Sequence, residues 1–309
     1  MECVLCSQPV SVVGPEVYDL RFGVPGRYQI ARCGSCGVEQ TLPRLSDVEL
    51  IDTYERYYNF RSDDEATYTR RRSAVVRSGL YRWWLRLDGD ISFVLQPGQG
   101  RRLLDVGCNE GRNLELFAQS GFRAEGIEPN PAAWEATRRL GLTAHLGDLG
   151  DLAVDEPFDV IVMSNVLEHV QDPALALTQA RARLRPGGEI WISCPNAQSW
   201  LRRRFGAAWI NWHPPFHLVH FTEDSLVSLL DRQGFDVVEQ RTLTPALWLV
   251  QSILARRFAK PGQATLQLRQ PVLVAPALLA CRGLFGPVLW LADRRHRGDC
   301  LMVRARRPA

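Results

Sequence analysis

Residues 103–111 read Leu103-Leu104-Asp105-Val106-Gly107-Cys108-Asn109-Glu110-Gly111. A short apolar run ends in an acid and passes into a Gly-x-x-x-Gly turn, with a helical stretch after it over 112–120. Glycines at a strand-to-helix turn let the backbone approach a ligand closely. Outward from this turn the chain alternates strand and helix. Residues 124–128 form a second strand, Asn130 and Pro131 start a helix in the N-cap and first-turn positions, and Gly141 ends it. Phe158–Ser164 is an apolar strand of the buried parallel kind. Asp172 and Pro173 open another helix, closed by Pro186-Gly187-Gly188, and residues 189–194 are the next strand. A helix over 223–233, a strand over 235–243 and a last strand at Cys300–Arg306 follow. Repeated strand–helix units imply an α/β fold, a parallel sheet with helices on both faces.

The acids at the strand ends say what the turn holds. A carboxylate at Asp105 suits a ligand carrying a positive ammonium group and is a poor neighbour for a pyrophosphate. Glu128 ends the second strand, where a carboxylate accepts both hydroxyls of a ribose. Asp148, in Gly147-Asp148-Leu149, follows the third strand and can face an adenine amino group. Ammonium, ribose and adenine in a row match S-adenosylmethionine, whereas NAD fits badly.

Residues 101–243 resemble the class I S-adenosylmethionine-dependent methyltransferases. The likeness rests on the 103–111 turn, Gly-Ile-Glu-Pro (126–129), Phe-Asp-Val-Ile (158–161), Val-Leu-Glu-His-Val (166–170) and Leu-Arg-Pro-Gly-Gly (184–188). One position departs: Asn109 stands where the family has glycine, and asparagine tolerates positive φ better than most residues. The resemblance implies a Rossmann-like three-layer sandwich, a mostly parallel seven-stranded sheet whose last strand is antiparallel. It also implies a cofactor site of Asp105, Gly107, Cys108, Gly111, Glu128, Pro129, Asp148, Leu149 and Asn165. The whole chain resembles a narrower group with a zinc-binding N-terminal segment, which includes sugar C-methyltransferases and surface-glycan or natural-product methyltransferases. Tyr54-x-x-Tyr57-Tyr58 and the stretch from Pro195-Asn196 to His217-Leu218-Val219-His220-Phe221-Thr222 add to that match. It implies that Tyr57 or Tyr58 covers the cofactor.

Cys3-x-x-Cys6 and Cys33-x-x-Cys36 offer four soft ligands in two knuckles. A two-residue spacer lets both thiolates of a knuckle reach one tetrahedral ion at about 2.3 Å, and four protein ligands make the site structural. About forty residues rarely bury enough core to fold alone, so a metal staple has a physical purpose. Cys108, Cys194, Cys281 and Cys300 read as small core or loop residues.

The rest of the chain sets limits. Its 309 residues suit one large or two modest domains, and 46% hydrophobic against 23% charged residues is globular composition. The division expected is a zinc-binding segment over 1–45, a helical cap or linker over 46–100, a methyltransferase core over 101–243, an apolar insertion over 244–298 and a final strand and tail over 299–309. With 37 basic and 34 acidic residues, bulk charge does not indicate nucleic-acid binding. The Asn-Pro-Pro-aromatic motif of enzymes that hold a flipped base is replaced by Ser164-Asn165-Val166-Leu167. Arg70-Arg71-Arg72 and Arg202-Arg203-Arg204 read as solvated faces or as phosphate contacts. The start, Met1-Glu2-Cys3-Val4, has no basic segment followed by an apolar one, which with the paired cysteines gives a cytoplasmic expectation.

A hydroxyl acceptor must lose a proton, and histidine is suited to take it. His169, with Glu168 beside it, follows the fourth strand of the core. His217 follows the fifth in a loop rich in Trp, Pro and Phe. Position ranks the two equally as base, ahead of His213 and His220, while His145 and His296 read as surface. A C-methylation could use the same residues. The acceptor expected is a small molecule: a sugar, nucleotide-sugar or lipid-linked glycan. Residues 244–293 are apolar, broken by Pro245, Pro261, Pro271, Pro276 and Pro287, and end in Arg294-Arg295-His296-Arg297. They suit a peripheral contact with the inner membrane face, a homodimer interface or a lid on the sheet.

Overall fold

The computed structural model describes residues 1–58, 77–89, 92–153, 156–265 and 271–309, without the side chains of 92 and 271–275. The arginines at 70–72 lie outside the described residues. Three strands open the chain: β1 (Val10–Val17), β2 (Tyr28–Cys33) and β3 (Glu39–Leu42). Helix α1 (Asp47–Tyr57) follows, begun by a capping box in which Ser46 and Glu49 satisfy each other's backbone N–H. Helix α2 (Gly79–Asp88) starts at the Ser78 cap.

The core then alternates as read: β4 (Arg102–Val106), α3 (Arg112–Gln119), β5 (Arg123–Glu128), α4 (Pro131–Arg139), β6 (Ala144–Leu146), β7 (Phe158–Ser164), α5 (Pro173–Arg183) and β8 (Leu184–Pro195). Asn130 and Asp172 cap α4 and α5, each with proline at the first helical position, where a missing N–H costs nothing. A short helix α6 (Trp200–Phe205) and a two-residue strand β9 (Val219–His220) precede α7 (Glu223–Arg232) and β10 (Asp236–Leu243). Helices α8 (Ala246–Phe258) and α9 (Pro271–Arg294) lead to β11 (Cys300–Arg306).

The large sheet has seven strands in the order β10-β11-β8-β7-β4-β5-β6, and β11 runs antiparallel to both its neighbours. Side chains alternate between its two faces. Leu104, Ile161, Met163, Ile190 and Ile192 pack with α5 and α7 through Leu177, Ala180, Leu226 and Leu229. Leu103, Val160, Val162 and Trp191 pack with α3 and α8 through Leu116, Phe117 and Trp248. Three layers result, α/β/α. A second, antiparallel sheet has the order β1-β2-β3-β9, so its fourth strand comes from the loop beyond β8.

Two expectations change. Pro186-Gly187-Gly188 does not close a helix: α5 ends at Arg183, and the three residues lie within β8 where its register on β7 jumps between the pairs Phe158↔Leu184 and Val160↔Glu189. A glycine pair and a proline, which donates no N–H, suit that irregularity better than a helix end. Pro276 and Pro287 do not break the insertion but sit inside α9. Gly283, four residues before Pro287, presents no side chain to crowd the ring.

Candidate active site

The tips of β4, β5 and β7 come together. Asp105 is 1% exposed, and its Oδ2 is buried with no hydrogen-bond partner among the described residues. Burial, and then the charge of Glu128, push its carboxyl up to about 8, against a smaller opposing pull from Arg112. Glu128 is buried as well, which raises it, and it clamps the turn: Oε2 accepts from the Asn109 N–H (2.8 Å) and Oε1 from the Asn130 N–H (3.0 Å). Gly107, Asn109 and Gly111 take φ of +65°, +51° and +76°. Asn109 holds its left-handed conformation with Oδ1 accepting from the Glu110 N–H at 2.8 Å. A Cβ on Gly107 would lie 2.9 Å from Val166 Cγ2, so the turn after β4 rests directly on the segment after β7. There Asn165, at φ +55°, holds a buried Oδ1 without a partner among the described residues.

The other expected cofactor positions are placed less uniformly. Cys108 faces the core and not the shared hollow, because a Cβ on Gly126 would meet its Sγ at 2.5 Å. Leu149 is buried and Pro129 exposed. Asp148 is exposed, its Oδ1 accepting from the Gly150 N–H at 2.6 Å, so it stands at the rim after the three-residue edge strand β6.

Beyond β7 a single 3₁₀ turn (Leu167–His169) turns two side chains inward. Glu168 is 1% exposed, neither carboxylate oxygen has a hydrogen-bond partner among the described residues, and burial pushes it up to about 8. His169 takes the Tyr54 hydroxyl on Nδ1 at 2.8 Å and also hydrogen-bonds the Phe216 backbone; burial holds it down at about 4. His217 Nδ1 lies 2.8 Å from the Asn211 carbonyl. A carbonyl only accepts, so Nδ1 carries the proton and Nε2 keeps a lone pair. Burial, with His169 and His220 nearby, holds His217 well below the usual histidine value. Ligand atoms of Glu168, His169 and His217 all lie within 4.8 Å of one another. A cation there would compete with the bonds that already fix His169.

His213 joins this cluster although its sequence position ranked it low. Its ring centre is 4.9 Å from that of His217, Asp19 Oδ1 is 3.9 Å away, and neither ring nitrogen has a hydrogen-bond partner among the described residues. His220 is not a loop residue: it lies in β9, with Nε2 2.9 Å from Thr41 Oγ1. An aromatic wall adjoins the histidines. Phe22, Tyr54, Tyr58 and Phe216 pack at ring separations from 4.8 to 5.8 Å, and Phe22 also meets His213 at 5.4 Å. Tyr54 and Tyr58 feel the charges of both Glu128 and Glu168, so α1 and the residue after it bridge the two halves of the site.

Two supporting acids carried no motif in the sequence. Asp19 accepts from the backbone N–H groups of Arg21, Phe22 and Val24, folding the Phe22 turn toward the site. Asp299 accepts from Trp209 Nε1 (2.8 Å) and Asn211 Nδ2 (3.0 Å), anchoring the loop that carries His217 to the start of β11. At the other end of the second sheet, Cys3 and Cys36 approach to 3.4 Å between sulfurs and Cys6 and Cys33 to 3.5 Å. All four sulfurs lie within 4.8 Å. A tetrahedron of Zn–S bonds has sulfur–sulfur edges of about 3.8 Å, so the group is compatible with a zinc ion.

The family described as a methyltransferase domain matches residues 79–240. The chain belongs to that family. This methyltransferase is 35% identical over 178 residues to a ubiquinone biosynthesis O-methyltransferase of Cereibacter sphaeroides, covering 52% of this chain and 71% of the relative. It is 26% identical over 206 residues to the protein of that name from Pasteurella multocida, covering 55% and 83%. Among solved structures, an S-adenosylmethionine-dependent methyltransferase from Mesorhizobium loti is 20% identical with a TM-score of 0.48, over 72% of this chain and all of that one. By that family match and the curated relatives, the methyltransferase is a class I S-adenosylmethionine-dependent enzyme. Its matched residues include Asp105, Glu128, Glu168, His169 and His217.

Proposed function

We propose that this methyltransferase moves the methyl group of S-adenosylmethionine to a hydroxyl of a small-molecule acceptor, with His217 as the general base. The observation that carries the proposal is the fixed tautomer of His217, which leaves Nε2 a lone pair on a ring whose ligand atoms and those of the buried Glu168 lie within 4.8 Å of each other. His169, tied at Tyr54 and at the Phe216 backbone, positions the cluster instead.

The residues present fit the cofactor. The unpartnered Oδ2 of Asp105 and Oδ1 of Asn165 are acceptors waiting for donors, as an ammonium group supplies. Glu128 already accepts two backbone N–H groups, yet each oxygen retains a further lone pair for a ribose hydroxyl. Gly107 and Gly111 let the turn take its positive φ and pack closely on Val166 and Thr137, Asp148 and Leu149 form the adenine rim, and Tyr58 covers the bound molecule. When bound, the cofactor supplies an electrophilic methyl on a sulfonium. The protein aligns the acceptor oxygen with it, and His217 Nε2 takes the proton as the oxygen attacks. Glu168, in the same cluster, offers carboxyl oxygens that stabilise the imidazolium that results.

O-methylation is supported by the names of the relatives. The aromatic wall favours a planar acceptor, while the sequence resemblance to glycan enzymes supports a sugar hydroxyl. We also assign Cys3, Cys6, Cys33 and Cys36 to a structural zinc. A screen of phenols and nucleotide-sugars, followed by mass shift, separates the acceptor classes. With an acceptor in hand, His217→Ala should lower kcat by about 10²–10⁴ and leave S-adenosylhomocysteine affinity within a factor of about two. His169→Ala should cost less. Full turnover by His217→Ala would overturn the assignment of the base.

A further inference from the structure

Helix α9 is an unusual surface. Between Pro276 and Leu291 every residue of its exposed arc is apolar, including Leu279 (62% exposed), Leu284 (77%), Val288 (46%) and Trp290 (55%). The opposite side is bound to the protein. Leu289 and Ala292 are buried, and the Arg282 guanidinium donates to the carbonyls of Thr244 and Leu87. A helix side facing water ordinarily carries charged or polar groups, and an unbroken apolar arc marks a surface that something covers. The arc does not stop at α9. Arg282 joins it to the end of α2 at Leu87 (39% exposed), on a helix that also exposes Leu80 and Trp83 nearer its start.

Charge says what covers it. Residues 244–298 hold eight arginines and lysines against one acid, Asp293, so they carry +7 in a chain whose total is +3. Asp293 does not offset this at the rim, since its Oδ1 accepts from the Thr244 hydroxyl at 2.8 Å. The border of the apolar face is therefore cationic. Arg294 lies over the Trp290 ring at 4.4 Å and Arg257 over Phe258 at 5.2 Å. A two-fold pairing of this face with a second copy would set arginine rim against arginine rim. An anionic bilayer instead accepts the apolar arc among its acyl chains and the guanidinium groups among its headgroups, with tryptophan at the boundary. No helix among the described residues is long and apolar enough to cross a membrane, which leaves α9 lying in the interface plane.

We propose that α9, with the adjoining end of α2, docks this methyltransferase flat on an anionic lipid surface. Flotation of the full chain with vesicles of phosphatidylcholine, alone or mixed with phosphatidylglycerol, tests it. The wild-type protein should float with the mixed vesicles and stay behind with phosphatidylcholine alone. Leu284→Asp with Val288→Asp, both at exposed positions, should lower partitioning at least about tenfold, the effect of about 1.4 kcal/mol. Arg294→Glu with Arg295→Glu should abolish the preference for phosphatidylglycerol. Unchanged S-adenosylhomocysteine binding by both double variants shows that they fold, independently of acceptor chemistry. Failure of the wild type to float, or flotation of Leu284→Asp/Val288→Asp equal to the wild type, overturns the proposal. So does a wild-type dimer in sedimentation that ignores vesicles and that the aspartate pair splits, since a second copy would then be the occupant.

Discussion

Glu168 keeps both carboxylate oxygens buried without a hydrogen bond among the described residues, and that has a consequence for stability. Its folded value of about 8 lies above the ~4.3 of an unfolded glutamate, so the folded state binds the extra proton between those limits. The contribution is full below about pH 4 and is lost progressively as pH rises through about 8. Glu168→Gln, which cannot ionise, should therefore lose fewer degrees of Tm than the wild type between about pH 5 and about pH 9. Parallel Tm profiles for the two would refute this account of the burial. Asp105 carries the matching prediction for binding. At about 8 it is protonated at neutral pH, and an ammonium ligand favours its ionised form. Calorimetry of S-adenosylhomocysteine in buffers of different ionisation enthalpy should register proton release near pH 7, with affinity rising toward tenfold per pH unit up to about pH 8. Asp105→Asn should bind more weakly and show neither effect; a wild-type affinity flat in pH would count against Asp105 as the ammonium partner. Asp105, Glu128, Glu168 and His169 could be singled out in the sequence because each sits at or just after a strand end, and His217 because it lies in the aromatic loop that follows one. His213 could not, since its burial depends on Asp19 and Phe22, nearly two hundred residues earlier in the chain. The ranking of His169 against His217 was equally hidden: the bonds that separate them run to Tyr54 and to the Asn211 carbonyl.

Elements were legible where local chemistry sets them and obscure where distant packing does. The caps at Asn130, Asp172 and Thr222 start helices at the expected residues, because a side chain that satisfies a nearby N–H acts within one turn. β9 gives no such signal; two residues become a strand only because β3 presents Glu39 and Gln40 to pair with them. The prolines of α9 mislead as well, since a proline one turn after a glycine, as Pro287 is after Gly283, has room for its ring inside a helix. The β4–α3 turn is the opposite case, fixed by its own glycines and therefore sensitive to them. Gly107→Ala adds a Cβ at φ +65° and 2.9 Å from Val166 Cγ2, so strain and crowding act together. The variant should lose about 1–3 kcal/mol of stability in denaturant unfolding. It should also bind S-adenosylhomocysteine more weakly, because Val166 gives way toward Asn165. Wild-type stability in this variant would mean that the turn relaxes freely.

Across the whole molecule, the second sheet is tied along β3 to the loop that carries His217. Glu39 pairs with His220 and Gln40 with Val219, while the Thr41 N–H donates to the Leu218 carbonyl at 3.0 Å. The Thr41 hydroxyl donates to the His217 carbonyl at 2.7 Å, and the buried Glu39 carboxylate meets Arg202 at 2.9 Å. The loop that carries His217 is thus the edge of a sheet whose other end is the four-cysteine cluster. A sheet this small has little core of its own, so a metal at Cys3, Cys6, Cys33 and Cys36 would secure the strand on which His217 leans. Asp105 and Glu128 of the proposed donor site stand on the seven-stranded sheet and do not share that dependence. Removing metal with a chelator, or making Cys33→Ser, should therefore separate the two halves of the site. Amide hydrogen exchange over residues 217–220 should quicken and turnover should fall, while S-adenosylhomocysteine affinity changes by less than about threefold, under about 1 kcal/mol. If exchange over 217–220 stays as slow without metal as with it, the cysteine cluster does not support the His217 loop, and the strand pairing, the Thr41 bonds and the Glu39–Arg202 pair hold it without metal.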